Sequence, residues 1–173
     1  MNIQDIMTMF DYNNWANRLI LNTCEQVSQE QFEAPTTHSF GSLRGTLVHT
    51  LDSEWGWRVI CTTGSINTEE MKETDYPTVA ALKQRWQEEE QAWRAYLQGL
   101  SDADMTSIVR YFIPEGIWRE RVLWHCLYHV VNHGMQHRSE TAAILTQYGH
   151  SEGGLDFTRY LNEMKEKAET ESS

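Results

Sequence analysis

Four histidines recur at every fourth position of WHCLYHVVNHGMQHR: His125, His129, His133 and His137. A neutral imidazole offers one nitrogen to a divalent ion, and residues four apart on a helix are neighbours on one face. Any adjacent pair could therefore share a metal. All four cannot, because each step of four turns the face by about 40° on a 3.6-residue helix. The apolar stripe Leu123, Leu127, Val130, Gly134, Thr141, Leu145 and Tyr148 selects among them. His137 falls at its centre and His133 at its edge beside Cys126, while His129 and His125 turn progressively away. The inward pair is His133 and His137. On its own such a pair is weak evidence, since most histidines on a helix face are hydrogen-bonded core or surface groups.

Metal sites in helical bundles are built from facing helices, so a third ligand from another helix is the next requirement. Ahead of residue 125 the candidates are His38, in a loop, and His49, within GTLVHTLDSEWGW. Leu43, Leu47 and Leu51 form a stripe to which His49 points almost opposite. Around it lie Gly45, Asp52, Ser53 and Gly56. This describes either a solvated face or a helix buried on both sides, with small residues making room for a site. The first helix carries a parallel ambiguity. Its stripe Ile3, Met7, Phe10, Leu21, Cys24 is interrupted by Asn14 and Asn17. Polar groups on a core stripe cost free energy unless hydrogen-bonded, so these mark either a wet pocket or an asparagine pair with satisfied partners.

The elements that must position these residues are helices. The 173 residues suit one domain, over 1–167, with the polar tail 168–173 expected to fray. Helices are predicted over 2–27, from after the N-cap residue Ser42 to near Gly64, over 78–98 ending at Gly99, and from near 119 to Gly149. A short helical turn is expected from Ser28, and 155–167 reads as a last short helix. Residues 108–113 alternate weakly and could be one short extended segment. The expected fold class is all-α, a four-helix bundle.

Composition narrows the partners. A net charge of −11, with 14 scattered basic residues, argues against nucleic acid. No apolar run is long enough for a membrane span, and the N-terminus lacks a secretory signal pattern, so a cytoplasmic location is expected. Cys24, Cys61 and Cys126 are odd in number and far apart in sequence, which is no disulfide framework and fits a reducing compartment. Cys126 reads as a small apolar packing residue.

At FDYNNWANRLI, SFGSLRGTLVHTLDSEWGW, VLWHCLYHVVNHGMQHRSE and GLDFTRYL, in that order along nearly the whole chain, the sequence resembles the DinB family of bacterial metal-binding four-helix bundles. The resemblance implies a ligand triad of one histidine in the second helix and an H-x-x-x-H pair in the fourth: His49, His133 and His137. It favours the ligand reading of His49 and agrees with the inward pair. One departure matters. Where the family often reads HRGQ, this chain has HRSE, with Ser139 and Glu140. Glu140, three residues after His137, could orient a ligand ring, supply a fourth ligand, or pair with an arginine at the surface.

Three histidines leave a coordination position open, the pattern of a catalytic site. Imidazole suits zinc or nickel first, with iron or copper also compatible. Three readings follow. The first, implied by the resemblance, is a transferase that activates a low-molecular-weight thiol, although no basic cluster marks an anionic-cofactor site. The second is a metal-dependent hydrolase in which Glu140 or Asp52 shuttles a proton. The third is a stress-related metal-binding protein without catalysis. An enzyme would take a small-molecule substrate. The resemblance also implies a homodimer, for which Tyr12, Trp15 and Leu19 offer a second apolar face on the first helix.

Overall fold

The computed structural model describes residues 1–66 and 69–171. Among the described residues, six α-helices and one hairpin follow in order: α1 Ile3–Cys24, α2 Gln29–Glu33, α3 Leu43–Thr63, α4 Val79–Gln98, β1 Ile108–Ile113, β2 Ile117–Val122, α5 Leu123–Gln147 and α6 Phe157–Glu171. The starts of α1 to α4 carry side-chain caps. Asn2 and Asp5 form a capping box on α1, Ser28 and Gln31 one on α2, and Ser42 and Thr78 cap α3 and α4. Each satisfies backbone N–H groups that the first turn leaves unpaired.

Helices α1, α5, α3 and α4 form a four-membered ring in that spatial order, so α5 packs against both α1 and α3. The interior divides into two apolar clusters. One gathers Ile6, Phe10, Trp93, Leu97, Leu123 and Leu127; the other gathers Ile20, Leu43, Leu47, Leu82, Ile144 and Leu145. A buried polar girdle is set into this interior. The Glu54 carboxylate accepts from Asn13 Nδ2 (2.9 Å) and Asn17 Nδ2 (3.0 Å) on one oxygen, and from Trp86 Nε1 (3.0 Å) on the other. Arg138 Nη1 donates to the side-chain oxygens of Asn13 (2.6 Å) and Asn17 (2.8 Å). Burial pushes the Glu54 carboxyl up, opposed by these donors and by the Arg138 charge. Gly134 makes the seat: a Cβ there would lie 2.6 Å from Arg138 Nη1 and 3.0 Å from Asn13 Oδ1.

Three expectations need correction. The predicted helix 2–27 ends at Cys24, while the short helical turn expected from Ser28 is present as α2. The fourth helix begins at 123 rather than near 119, because Ile117–Val122 is a strand paired antiparallel with β1, in the register Ile108↔Val122 to Ile113↔Ile117. Nearly all of β2 is exposed on both faces, so its side chains carry no inside–outside alternation, and backbone pairing holds it in place. The last helix, expected over 155–167, runs Phe157–Glu171, and 172–173 of the expected tail lie outside the described residues. The second apolar face of α1 is also occupied. Tyr12 and Trp15 are buried against Tyr160, and Phe157 meets the Tyr12 ring edge-on at 5.2 Å, so α6 of the same chain covers that face. Among the described residues, no helix is long and apolar enough to cross a membrane.

Candidate metal centre

The packing of α3 against α5 brings His49 to the inward pair. His133 Nε2 lies 3.4 Å from His49 Nε2 and 3.2 Å from His137 Nε2, and one ring nitrogen from each histidine falls within 4.8 Å of the others. Three nitrogens on one tetrahedral ion, with bonds of about 2.0–2.1 Å, stand about 3.3 Å apart. The donor set therefore fits a single divalent ion. Its electrostatics fit as well. Burial, and then the neighbouring His137 ring, hold His49 down to about 4 from its ordinary 6.5. The same causes, with His49 and His129 added, hold His133 at about 4. Both rings are thus neutral near pH 7, the form that binds metal.

Glu140 contacts one of the three histidines. Its Oε2 lies 2.8 Å from His137 Nδ1. With Nδ1–H donating to the carboxylate, His137 presents its Nε2 lone pair to the other two rings. A carboxylate on the far nitrogen of a ligating histidine fixes ring orientation and raises basicity.

The loop before α3 walls the site. Phe40 stacks on His49 with ring centroids 3.6 Å apart and 12° between planes, and meets His137 edge-on at 5.2 Å. Gly45 permits this, because a Cβ at that position would overlap the Phe40 carbonyl oxygen. Arg44 ties the surrounding segments together through Glu33 (2.6 Å) and Glu73 (3.2 Å). The small residue beside His49 thus makes room for a loop that half-buries the ring, while Asp52, Ser53 and Gly56 on the same face remain partly exposed.

Other candidates fall elsewhere. The Asp52 carboxylate accepts the Met71 backbone N–H at 3.0 Å, and burial pushes its carboxyl up. It stands outside the histidine cluster. Asn17 belongs to the buried girdle, and Asn14 lines a groove between α1 and α4 with Trp93 and Leu97. Neither lines the triad. The backbone carbonyl of His38 closes a turn with Gly41 N, and its ring is not part of the cluster. His129, not a member of the cluster, packs its ring 5.6 Å from His133 and 4.8 Å from Trp57. Sequence reasoning missed Phe40, whose aromatic ring in HSFGS gave no sign of its target. It also missed the girdle, although Glu54 continues the stripe Leu43, Leu47, Leu51.

Comparison with known proteins agrees with this architecture. The chain is 25% identical over 159 residues to Protein DinB of Bacillus subtilis (strain 168), covering 88% of this chain and 91% of that one. Two solved structures share the fold at 17% identity. A DinB-like protein from Bacillus cereus ATCC 10987 matches with a TM-score of 0.67 over 88% of this chain and 97% of its own. YfiT from Bacillus subtilis, described as a probable metal-dependent hydrolase with an unusual four-helix bundle topology, matches at 0.65 over 86% and 90%. The DinB family profile matches residues 1–170, and the chain belongs to the DinB family.

Proposed function

We propose that this chain is a metal-dependent enzyme that holds one divalent ion, zinc or nickel first, on His49, His133 and His137 and uses it to activate a small thiol. The observation that carries this reading is the convergence of three Nε2 atoms at spacings a single ion would impose, with Glu140 fixing the third ring. A bound ion would supply Lewis acidity, bringing a thiol or water placed on its open position to ionise near neutral pH.

The choice of a thiol rests on the carboxylates. A hydrolase needs a group to accept the proton of water. Glu140 contacts His137 through Oε2, and Asp52 accepts the Met71 N–H outside the histidine cluster, so neither carboxylate is singled out for that task. A thiol, with an ordinary pKa near 8.5, needs far less assistance. Beyond the His129 ring lies a cleft of about 470 Å³ that includes Trp57, Tyr111 and Arg121, and it would seat an electrophilic acceptor. A second reading, a metal-dependent hydrolase, draws on the description of YfiT, with His129 as the free imidazole beside the triad.

The test begins with metal content, by elemental mass spectrometry, of the parent and of His49→Ala and His137→Ala. About one ion per chain in the parent, lost in both variants, is the expected result. A parent that stays metal-free after incubation with zinc or nickel overturns the proposal. The loaded protein is then offered an activated aryl halide with and without a low-molecular-weight thiol, and an activated ester without thiol. Turnover that needs the thiol supports the transferase. Ester turnover alone supports the hydrolase, and metal without either activity supports a non-catalytic role.

A further inference from the structure

Beyond the triad, the hairpin builds a cationic wall that the order of charges in the sequence conceals. Arg119 and Arg121 flank Glu120 in IWRERV, and the stretch reads as nearly balanced. The pleat of β2 separates them, because successive side chains of a strand leave on opposite faces. Glu120 shares a face with its cross-strand partner Arg110 and pairs with it at 3.5 Å. Arg119 and Arg121 leave on the other face, opposite Tyr111 and Val109, which β1 buries. Neither has an ion pair among the described residues, and the hydrogen bond of Arg121 goes to the Glu120 backbone oxygen at 2.8 Å.

The same face fronts the cleft of about 470 Å³, whose lining includes Arg121, His125 and His129 and, among the described residues, no carboxylate. Trp57 forms an aromatic corner there, meeting Tyr111 edge-on at 5.9 Å and the His129 ring at 4.8 Å. The His129 ring stands 5.6 Å from His133, so one end of the cleft adjoins the triad. In a chain of net charge −11, a cavity with cationic and aromatic walls is a local exception.

We propose that the cleft selects acceptors that are planar and carry a carboxylate, the anion held by Arg121 and the ring laid against Trp57 and Tyr111. A carboxylate matches the guanidinium fork, which offers parallel N–H donors to both of its oxygens. The aromatic corner favours a flat ring, through stacked or edge-on contact. Arg119, two residues along the same face, adds a second positive charge. The proposal deepens the thiol-dependent reading and rests on it for the fate of the acceptor; the seat itself needs neither thiol nor ion.

The experiment compares para-chloro-meta-nitrobenzoate with its neutral amide by equilibrium dialysis against the full, metal-free chain. The benzoate should bind about tenfold more tightly, the preference expected of one charge-assisted pair. Arg121→Gln should reduce that preference to less than about twofold. Arg110→Gln, an identical change of charge on the opposite face of the hairpin, should keep it. Both side chains are exposed, so neither change opens the core. Equal binding of the two compounds, a preference that survives Arg121→Gln, or one lost equally in Arg110→Gln would each overturn the proposal. The metal-loaded chain with a low-molecular-weight thiol separates seat from chemistry: there the thiol sulfur bonds to the ring carbon, chloride leaves and the thiol proton passes to water. Selective binding without chloride release would overturn the transferase reading and support the seat. Chloride release from both compounds at equal kcat/KM would overturn the seat and support the transferase reading.

Discussion

His137 and Arg138 are consecutive residues of α5, yet they feed two polar clusters of opposite character. Arg138 enters the girdle, where Glu54, Asn13, Asn17 and Trp86 supply one another's donors and acceptors, and Arg138 Nε lacks a partner among the described residues. His137 enters the triad, where its outer nitrogen is satisfied by Glu140 while its inner lone pair faces two more imidazole nitrogens. Both clusters break an apolar interior. One is completed by the protein, and the other has acceptors pointing at a common centre. Being buried and polar therefore does not mark a functional residue. Shared convergence of lone pairs does.

The contrast can be broken most strongly at the girdle. Glu54→Ala leaves Arg138 without its counter-charge and strands three donors, and should cost about 3–5 kcal/mol in urea unfolding. Its folded fraction should still bind metal in the parent's ratio. Loss of metal from a folded Glu54→Ala protein would mean that the two clusters are one. At the triad the effect should appear only with metal. The parent should gain about 2.7 kcal/mol at free metal one hundred times its dissociation constant. In His137→Ala that increment should vanish from the same titration. Glu140→Gln should bind metal about 10–100-fold more weakly, read by competition with a coloured chelator. Unchanged affinity there would reduce the Glu140 contact to a surface pairing.

The smallest expected effect is on the metal-free chain. His49 and His133 are held at about 4 when folded and return to about 6.5 when unfolded. As pH falls, the unfolded chain takes up protons first, so the triad's contribution is complete above pH 6.5 and drains away toward pH 4. Urea midpoints across that interval should fall, and fall less in His133→Ala. A parent and variant with parallel profiles would mean that the rings are not desolvated.

Much of this was legible before the fold. A stripe of apolar side chains sufficed to orient His133 and His137, because helix periodicity converts spacing into direction. His49 was ambiguous because what covers it is a loop, and loops carry no period from which Phe40 could be placed. Glu140 was visible as a candidate by its spacing of three from His137, but its partner depended on ring orientation. β2 was hidden for another reason: a strand solvated on both faces leaves no hydrophobic signature. Asn17 was ambiguous as well, because its satisfied reading needed Glu54 and Arg138 from two other helices.

The spacing of the three histidines along the chain has a consequence for assembly if they hold the proposed ion. His133 and His137 are one helical turn apart, whereas His49 and His133 are separated by 84 residues. An ion that meets the nascent chain finds the near pair as soon as that stretch of α5 coils, and can nucleate a turn that would otherwise fray. The third bond waits until a loop of 84 residues has closed, an entropic step whose cost grows only with the logarithm of loop length. The ion would thus serve first as a helix nucleus and last as a lock on α3. Metal supply during synthesis should then change how fast the chain folds as well as what the finished protein can do.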